Sequence, residues 1–214
     1  MSEPEPQPEP AAAPSMRERA QQARQKTEFI LSRAYGLLKD PKAEWEQIKA
    51  EETNAVSLML GYVAPLAAVP ALAGMIGQLV FGLGLYGTPS QIIVGAVVTF
   101  LVFTALIYFL GLMTNAIAEN FEAEKNELAA LKVAAYSPTP AFLLGALSLW
   151  PPLWWAPLIG LAIAAFLLYR GLPPLMKCPP ERALSYSATI IAAGLIALIV
   201  LGLLTSCVTG LGAI

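Results

Sequence analysis

The sequence predicts an all-α polytopic membrane protein with five transmembrane helices, the third and fourth of which form a hairpin with a proline corner. Hydrophobic residues make up 57% of the 214 residues and charged residues 13%, whereas charged residues are about 25% of a soluble domain. The uncharged runs between the charged segments approach or exceed the roughly 20 residues that cross a bilayer core. Period-two alternation, which is typical of half-buried strands, is absent from these runs.

Three regions follow from the composition. Residues 1–14 are rich in Pro, Glu and Ala, and such a segment buries too little apolar surface to order itself. We therefore predict a disordered tail at 1–14, with a Pro-rich recognition segment as the alternative. Residues 15–53 form a predicted cytoplasmic region of amphipathic helices, and residues 54–214 form the predicted five-span membrane domain.

Two helices are predicted before the membrane domain. Ser15 and Glu18 match a capping box, which predicts a helix from Met16 to about Lys39. Asp40 and Pro41 end that helix and provide the N-cap and the first residue of the next one.

Both helices carry apolar side chains at near-helical spacing. The first has such residues at Ile30, Leu31, Ala34, Tyr35 and Leu38. The second has an i, i+3 pair, Trp45 and Ile48, among charged residues. A Trp on the apolar side of an amphipathic helix is typical of a membrane interface, and we predict Trp45 as an interfacial anchor. Docking of this helix under the membrane bundle is the alternative.

The first predicted span lies near Ala55 to Gly84 and contains Pro65 and Pro70. Thirty helical residues would reach about 45 Å, which is longer than the bilayer core requires. A tilt, a kink at either proline or an early end must absorb the excess.

The second predicted span runs from about Gln91 to Ile117. Asn115 and Glu119 are four positions apart near its end, so they lie on the same helical face. They form either a wetted helix end or a polar site facing a cytoplasmic cavity.

The predicted hairpin occupies Ala134 to Pro174. Its first arm, Ala141 to Trp150, would reach only about 15 Å as a helix. Either it recruits residues from about Leu128, with a kink at Pro138 and Pro140 and with Lys132 reaching to the surface, or it is a short helix in a thin region. The fourth span is predicted at about 152–170, ended by the proline-rich break at 171–174, and the fifth at 183–206.

Three tryptophans crowd the proline corner at 151–152: Trp150, Trp154 and Trp155. We predict them as interfacial anchors, as in an aromatic belt, in preference to an aromatic binding cage.

Charge placement predicts the orientation. Five spans divide the remaining segments into two sets, and all 13 Lys and Arg residues fall in the set that holds the N-terminus. The positive-inside rule then places the N-terminus in the cytoplasm and the C-terminus outside.

Little chemistry is visible. There is no histidine, the deep parts of the predicted spans carry no Asp, Glu, Lys or Arg, and no phosphate loop, zinc motif or nucleophile elbow is present. We therefore predict a protein that is not an enzyme, with no cofactor, no metal and no nucleic acid. Its expected partners are the lipid bilayer and, through residues 15–53, a cytoplasmic protein.

Four short motifs stand out between about Leu38 and the end: Pro41 with Trp45 and Ile48, Gly61-Tyr62 with Pro65 and Pro70, Tyr136-Ser137-Pro138-Thr139-Pro140, and Gly171-Leu172-Pro173-Pro174. Together they resemble the motifs of the Yip domain family, the Ypt- or Rab-interacting membrane proteins and their bacterial relatives. The resemblance implies a five-helix membrane domain with a cytoplasmic N-terminus. Eukaryotic members are associated with Rab GTPases and vesicle traffic. This chain lacks their Asp-Leu-Tyr-Gly-Pro type of stretch and looks closer to bacterial-type members of the inner membrane. Neither Rab binding nor any catalytic residue is implied.

Two functions are compatible with this pattern. The first is a non-enzymatic membrane organiser that binds proteins or lipid through its cytoplasmic region. The alternative is a small transporter or channel that uses the broken first and third spans, since interrupted helices often line binding sites. The candidate cavity or interaction positions are Pro70, Asn115, Glu119, Tyr136, Ser137, Pro138 and Pro140.

Overall fold

The computed structural model describes residues 15–82 and 87–211, with side chains described as far as Leu203 except that of Arg19. The predicted tail at 1–14 therefore lies outside the described residues. All regular structure in the described residues is helical, as predicted. The α-helices are α1 (Met16–Lys39), α2 (Pro41–Ala50), α3 (Ala55–Leu58), α4 (Ala64–Phe81), α5 (Pro89–Ile117), α6 (Glu127–Tyr136), α7 (Thr139–Leu144), α8 (Ala156–Met176) and α9 (Pro180–Leu211).

The caps of α1 and α2 confirm the predicted local signals. The Ser15 amide donates to Glu18 Oε2 at 2.7 Å, and the Glu18 amide donates to Ser15 Oγ at 3.3 Å. Asp40 Oδ1 accepts from the Ala43 amide at 3.1 Å, with Pro41 as the first residue of α2. Side-chain oxygens thus satisfy amides that a helix N-terminus leaves without partners.

The first long apolar helix is continuous from Ala55 to Phe81. It consists of α3, a π-helical turn at Met59–Val63 and α4. Pro65 has no N–H to donate to the carbonyl four residues earlier, and the wider turn lies where the regular hydrogen-bond pattern fails. The helix ends at Phe81, before the predicted end at Gly84. This early end removes part of the length that exceeded the bilayer core.

Four helices in the described residues are long and apolar enough to cross a membrane: Ala55–Phe81, Pro89–Phe121, Pro151–Met176 and Pro180–Leu203. The prediction of five transmembrane helices is therefore not confirmed. The predicted third span is broken into α6, α7 and a 3-10 turn at Gly145–Leu149. Pro138 and Pro140 donate no backbone hydrogen bond, which explains why α6 stops at Tyr136.

The two arms of the predicted hairpin pack against each other. They meet at a single 3-10 turn, Pro151–Leu153. A Cβ on Gly160 of α8 would lie 2.4 Å from the Cα of Ala141 in α7, so the two backbones are in direct contact.

The predicted break at 171–174 is wrong, because α8 continues through Pro173 and Pro174 to Met176. Helices tolerate proline when neighbouring elements hold the freed backbone groups. Leu172 and Met176 are fully buried, and their packing holds the helix together across the prolines. Lys177 ends it with a φ of 51°.

The helices form a ring around the centre of the membrane domain. Successive neighbours in contact are α4, α5, α9, α8 and the segment of α7 with its following turn, which returns to α4. α2 and α6 both pack against α8. The largest fully buried side chains include Trp45 of α2 together with Tyr62 and Tyr136 of the bundle.

Candidate functional site: a buried polar cluster beside a central cavity

A buried polar cluster lies where α1 and α2 meet the bundle; it consists of Arg33, Glu44, Glu51, Lys132 and Tyr136. Arg33 Nη1 lies 2.6 Å from Glu44 Oε1, and Arg33 Nη2 lies 3.0 Å from Glu51 Oε2. The three side chains are 10%, 12% and 25% exposed. One guanidinium therefore joins the ends of α2 to α1.

Arg33 is buried because of its position on α1. It shares a side of the helix with Ile30 and Leu37, three residues before and four after it, and Leu37 is fully buried. Its guanidinium carbon also lies 5.1 Å from the Phe29 ring centroid and 5.5 Å from that of Tyr136. The cation is thus held by two carboxylates and by the rings of Phe29 and Tyr136.

Lys132 connects the cluster to the end of α2. Its Nζ donates to the carbonyl oxygens of Ile48 at 2.8 Å and Glu51 at 2.6 Å. These carbonyls lie at the C-terminal end of α2, where the helix dipole favours a positive charge; the Ile48 carbonyl also accepts from the Glu51 amide at 3.3 Å. Lys132 is only 4% exposed, so the prediction that it reaches to the surface is wrong: the carbonyls of α2 take the place of water.

A hydrogen-bonded chain runs from the cluster into the membrane domain. The Tyr136 hydroxyl donates to Glu51 Oε1 and Oε2 at 3.2 and 3.1 Å. The Tyr62 hydroxyl lies 2.8 Å from Thr139 Oγ1, which donates to the Tyr136 carbonyl at 2.7 Å. The Tyr62 and Tyr136 rings are 4.5 Å apart. This chain joins the π-helical turn, the break after α6 and the residue that follows α2.

The charges of the cluster balance. The cluster contains two cations, Arg33 and Lys132, and two carboxylates, Glu44 and Glu51. Arg33 pairs with both carboxylates, whereas Lys132 bonds backbone carbonyls. Removing one member of a buried pair is costly because the remaining charge is left uncompensated. With its carboxylates and cations paired with one another or with backbone carbonyls, the cluster is suited to fixing α1 and α2 on the bundle rather than to proton transfer.

Sequence reasoning missed this cluster because it treated the charges of α1 and α2 as solvated. Two signals were available. Arg33 falls on the same side of its helix as Ile30 and Leu37. Lys132 is the single charged residue in an apolar run of α6, and a buried charge needs a partner that compensates it.

Trp45 is not an interfacial lipid anchor, and that prediction is corrected. Its side chain is fully buried, and its ring lies on the backbone of α8 at Gly171. Trp45 and Ile48 form the buried side of α2, so docking under the bundle, the alternative, is what the structure has. The apolar side predicted for α1 is divided, since Ala34 is buried while Leu31 and Tyr35 are exposed.

A large cavity, the central cavity, lies between the helices of the ring and is partly open to the outside. Its volume is about 1150 Å³, and most of its lining is apolar. Pro70, Ser137 and Pro138 line it, where α4 passes the break between α6 and α7. Trp154 lines its far end, next to the proline corner.

The other candidate positions lie elsewhere. Asn115 lines a second pocket of about 250 Å³, and its Oδ1 is buried without a partner. Glu119 is exposed and pairs with Lys125 at 3.1 Å. Pro140 is buried where α7 meets Gly160 of α8. The structure therefore does not bring Asn115, Glu119 and Pro140 into one site.

The tryptophans of the proline corner are exposed: Trp150 by 62%, Trp154 by 71% and Trp155 by 45%. Their role as interfacial anchors stays a prediction. In the described part of the chain, no group of three or more His, Cys, Asp and Glu residues is placed to hold a metal.

The fold and the cluster define a multi-pass helical membrane protein whose N-terminal helices are fixed to its bundle by buried ion pairs. The sequence profile of the Yip1 domain matches residues 35–201. The chain therefore belongs to the Yip1 domain family, and the predicted resemblance is confirmed.

Two curated relatives are inner membrane proteins named YohC, from Escherichia coli strain K12 and from Escherichia coli O6:H1. Each is 28% identical over 191 residues, which cover 85% of this chain and 98% of the relative. No solved structure matches the chain.

Proposed function

We propose that this chain is a non-enzymatic membrane organiser that acts on the cytoplasmic lipid surface through α1. The observation that carries the proposal is an exposed apolar stripe on α1, formed by Leu31, Tyr35 and Leu38. These side chains are 54%, 64% and 53% exposed and lie at i, i+4 and i+7, on one side of the helix. The opposite side is fixed by Arg33 and Leu37, so the stripe is presented rigidly.

Charge favours a lipid surface as the partner of the stripe. The N-terminal half of α1 contains Arg17, Arg19, Arg24 and Lys26 against one glutamate, Glu18. Lys39 Nζ lies 5.5 Å from the Tyr35 ring at the edge of the stripe. An apolar stripe with basic neighbours suits the surface of a bilayer that contains anionic lipid.

The proposed topology keeps five crossings. Residues 127–149 would extend about 35 Å as a helix, enough for the roughly 30 Å core, and the Thr139 hydroxyl satisfies one carbonyl at the break. The N-terminus is then cytoplasmic and the C-terminus outside, in a bacterial inner membrane. The three proposed regions are the tail at 1–14, the cytoplasmic helices at 15–53 and the membrane domain at 54–214.

Labelling of single cysteines in intact cells tests this topology. A membrane-impermeant maleimide should label Trp150→Cys before permeabilisation, and Lys125→Cys and Lys177→Cys only afterwards. If residues 127–149 do not cross, Trp150→Cys and Lys125→Cys lie on one side and Lys177→Cys on the other, which would reject the five-crossing arrangement.

The organiser role is tested with the full chain in liposomes. A fluorophore on Tyr35→Cys should be quenched by lipids with a headgroup-level nitroxide, more strongly when anionic lipid is present. The same fluorophore on Gln22→Cys, on the opposite side of α1, should stay accessible to water.

Reconstituted wild type should shift the size distribution of the vesicles. The triple substitution Leu31→Gln, Tyr35→Gln and Leu38→Gln should reduce that shift several-fold. Equal quenching at positions 22 and 35, or an unchanged shift, would reject the role.

The second candidate is a small transporter or channel, favoured by the central cavity, which lies beside the break between α6 and α7. None of the described residues that line the cavity is Asp, Glu, Lys or Arg, which points to neutral solutes, because ion and proton paths use ionisable groups. Flux of small neutral solutes through proteoliposomes tests it. Transport above that of protein-free liposomes would support this candidate, and equal flux would reject it.

A further inference from the structure

The central cavity has the lining of a lipid-chain site. It lies within the ring of membrane-domain helices, and its volume of about 1150 Å³ exceeds the roughly 300–1,000 Å³ of ordinary small-molecule pockets. Apolar walls without neighbouring atoms lose their dispersion contacts. A cavity of this size in a membrane therefore has to be filled by something.

Water is a poor occupant. Ordered water needs two to four polar partners, and the described lining holds only five polar side chains, all neutral: Gln78, Gln91, Thr99, Ser137 and Ser148. The Ser137 hydroxyl is buried and has no hydrogen-bond partner among the described residues, so it offers a water molecule a single protein contact at most. The middle of the cavity, near Phe103, Leu106 and Leu168, is hydrocarbon-like.

Three of these five polar groups lie at one end of the cavity. Gln78 and Gln91 lie near the connection between α4 and α5, and Ser148 lies next to the proline corner. Trp154 lines the same end and is largely exposed, as expected at the level of the headgroups. A lipid has the same polarity pattern, with a polar head at the interface and an apolar chain toward the midplane.

We propose that the central cavity binds one membrane phospholipid, whose acyl chain fills the space between α5 and α8 and whose head lies at Gln78, Gln91 and Ser148. The assignment goes beyond the surface role of α1 and does not depend on it. It also does not require transport, since a chain held between the spans stabilises the ring without crossing it.

Glycines in the lining make the assignment testable. A Cβ on Gly95 would meet nothing within 4 Å, and one on Gly74 only Gln78 Nε2 at 4.0 Å. The double substitution Gly74→Leu and Gly95→Leu therefore fills the cavity without a clash at the first carbon. Gly61→Leu is the matched control, because a Cβ there also meets nothing within 4 Å and Gly61 lines neither described pocket.

The experiment titrates delipidated full-length protein in detergent with phosphatidylethanolamine and counts bound lipids by native mass spectrometry. Wild type and Gly61→Leu should each retain one lipid, and the double variant should retain at least tenfold less. The double variant should also unfold at the same or a higher temperature without lipid, and wild type should gain stability when lipid is added. Equal retention by the double variant, or no retention and no stabilisation of wild type, would overturn the proposal.

A second measurement uses unaltered protein in case the double variant does not fold. Phosphatidylcholine with a photoactivatable group in the middle of its acyl chain is cross-linked in liposomes, and modified peptides of α5 are mapped. Modification at Thr99 and Phe103, which line the cavity, supports the site. Modification confined to Val97 and Leu101, which are exposed on the outer side of α5, would overturn it.

Discussion

The indole ring of Trp45 lies directly on the backbone of Gly171. A Cβ at Gly171 would be 2.7 Å from both Cε2 and Cζ2 of the ring, and Trp45 is fully buried. A bulky ring from α2 thus occupies the space that a side chain on α8 would take. The contact holds the N-terminal helices to a helix of the membrane domain.

Substitution of Gly171 should loosen this contact. In Gly171→Ala the ring has to move, and overpacking of a buried site costs about 1–3 kcal/mol. We expect a lower unfolding temperature in detergent and faster proteolysis in the linker at 51–54. Gly95→Ala is the control, because it meets nothing within 4 Å. The double substitution Trp45→Leu and Gly171→Ala should recover part of the loss, and equal behaviour of Gly171→Ala and Gly95→Ala would contradict the account.

The buried ion pairs of Arg33 predict a larger effect. Arg33→Met leaves the Glu44 and Glu51 carboxylates without their cation, and loss of one partner of a buried pair costs about 3–5 kcal/mol. The expected result is release of α1 and α2, measured by proteolysis and thermal unfolding. Adding Glu44→Gln and Glu51→Gln should restore much of the stability, because no uncompensated charge then remains.

Arg24→Met is the matched control for Arg33→Met. Arg24 pairs with Glu28 at 3.1 Å, but both side chains are exposed, by 82% and 65%. Such surface pairs are worth little, so this variant should behave as wild type. If Arg33→Met were no worse than Arg24→Met, the cluster would not hold the N-terminal helices in place.

These two contacts explain what the sequence could predict. The caps at Ser15 and Asp40 depend on residues at most three positions apart, so local rules located them. The four helices that are long and apolar enough to cross a membrane were located by the length of their apolar runs, which is also a local property. Trp45 and Gly171 lie 126 positions apart, and no local pattern relates them. The sequence showed an apolar pair on α2 but not the surface that would cover it.

The central cavity was predictable only in part. Prolines at 70, 138 and 140 indicated interrupted helices, and two of these positions, Pro70 and Pro138, line the cavity. The space itself depends on small residues of other helices, such as Gly95, whose facing neighbours are set by tertiary packing. The continuation of α8 through Pro173 has the same origin, because burial of Leu172 and Met176 overrides the local preference to stop.

The hydroxyl of Thr139 should contribute measurably to stability. It lies between the Tyr62 hydroxyl at 2.8 Å and the Tyr136 carbonyl at 2.7 Å. Thr139→Val keeps the shape but leaves both groups unpaired, a loss of about 1–3 kcal/mol. Thr104→Val is the control, because the Thr104 hydroxyl bonds only the Phe100 carbonyl of its own helix. Thermal unfolding should separate the two variants, and equal melting temperatures would show that this hydrogen-bonded chain is not stabilising.

The thiol of Cys178 should titrate at high pH in the folded protein. It lies in the connection between α8 and α9 and is 3% exposed. Burial and then the nearby Glu122 carboxylate raise the pKa of the Cys178 thiol, relative to about 8.5 for a free thiol. Because the unfolded chain then releases this proton first, stability falls as pH rises above about 8.5.

Alkylation kinetics provide the measurement. In a Cys207→Ser background, the rate of Cys178 alkylation should rise with pH only above the range of a free thiol. Glu122→Gln removes a negative charge near the sulfur and frees Arg182, which pairs with Glu122 at 3.1 Å. Both changes favour the thiolate, so the alkylation profile should shift to lower pH. Glu181→Gln in the next helix is the charge-matched control. A wild-type profile centred at the pKa of a free thiol would show that burial does not control this group. A profile that Glu122→Gln leaves unchanged would show that Glu122 does not control it.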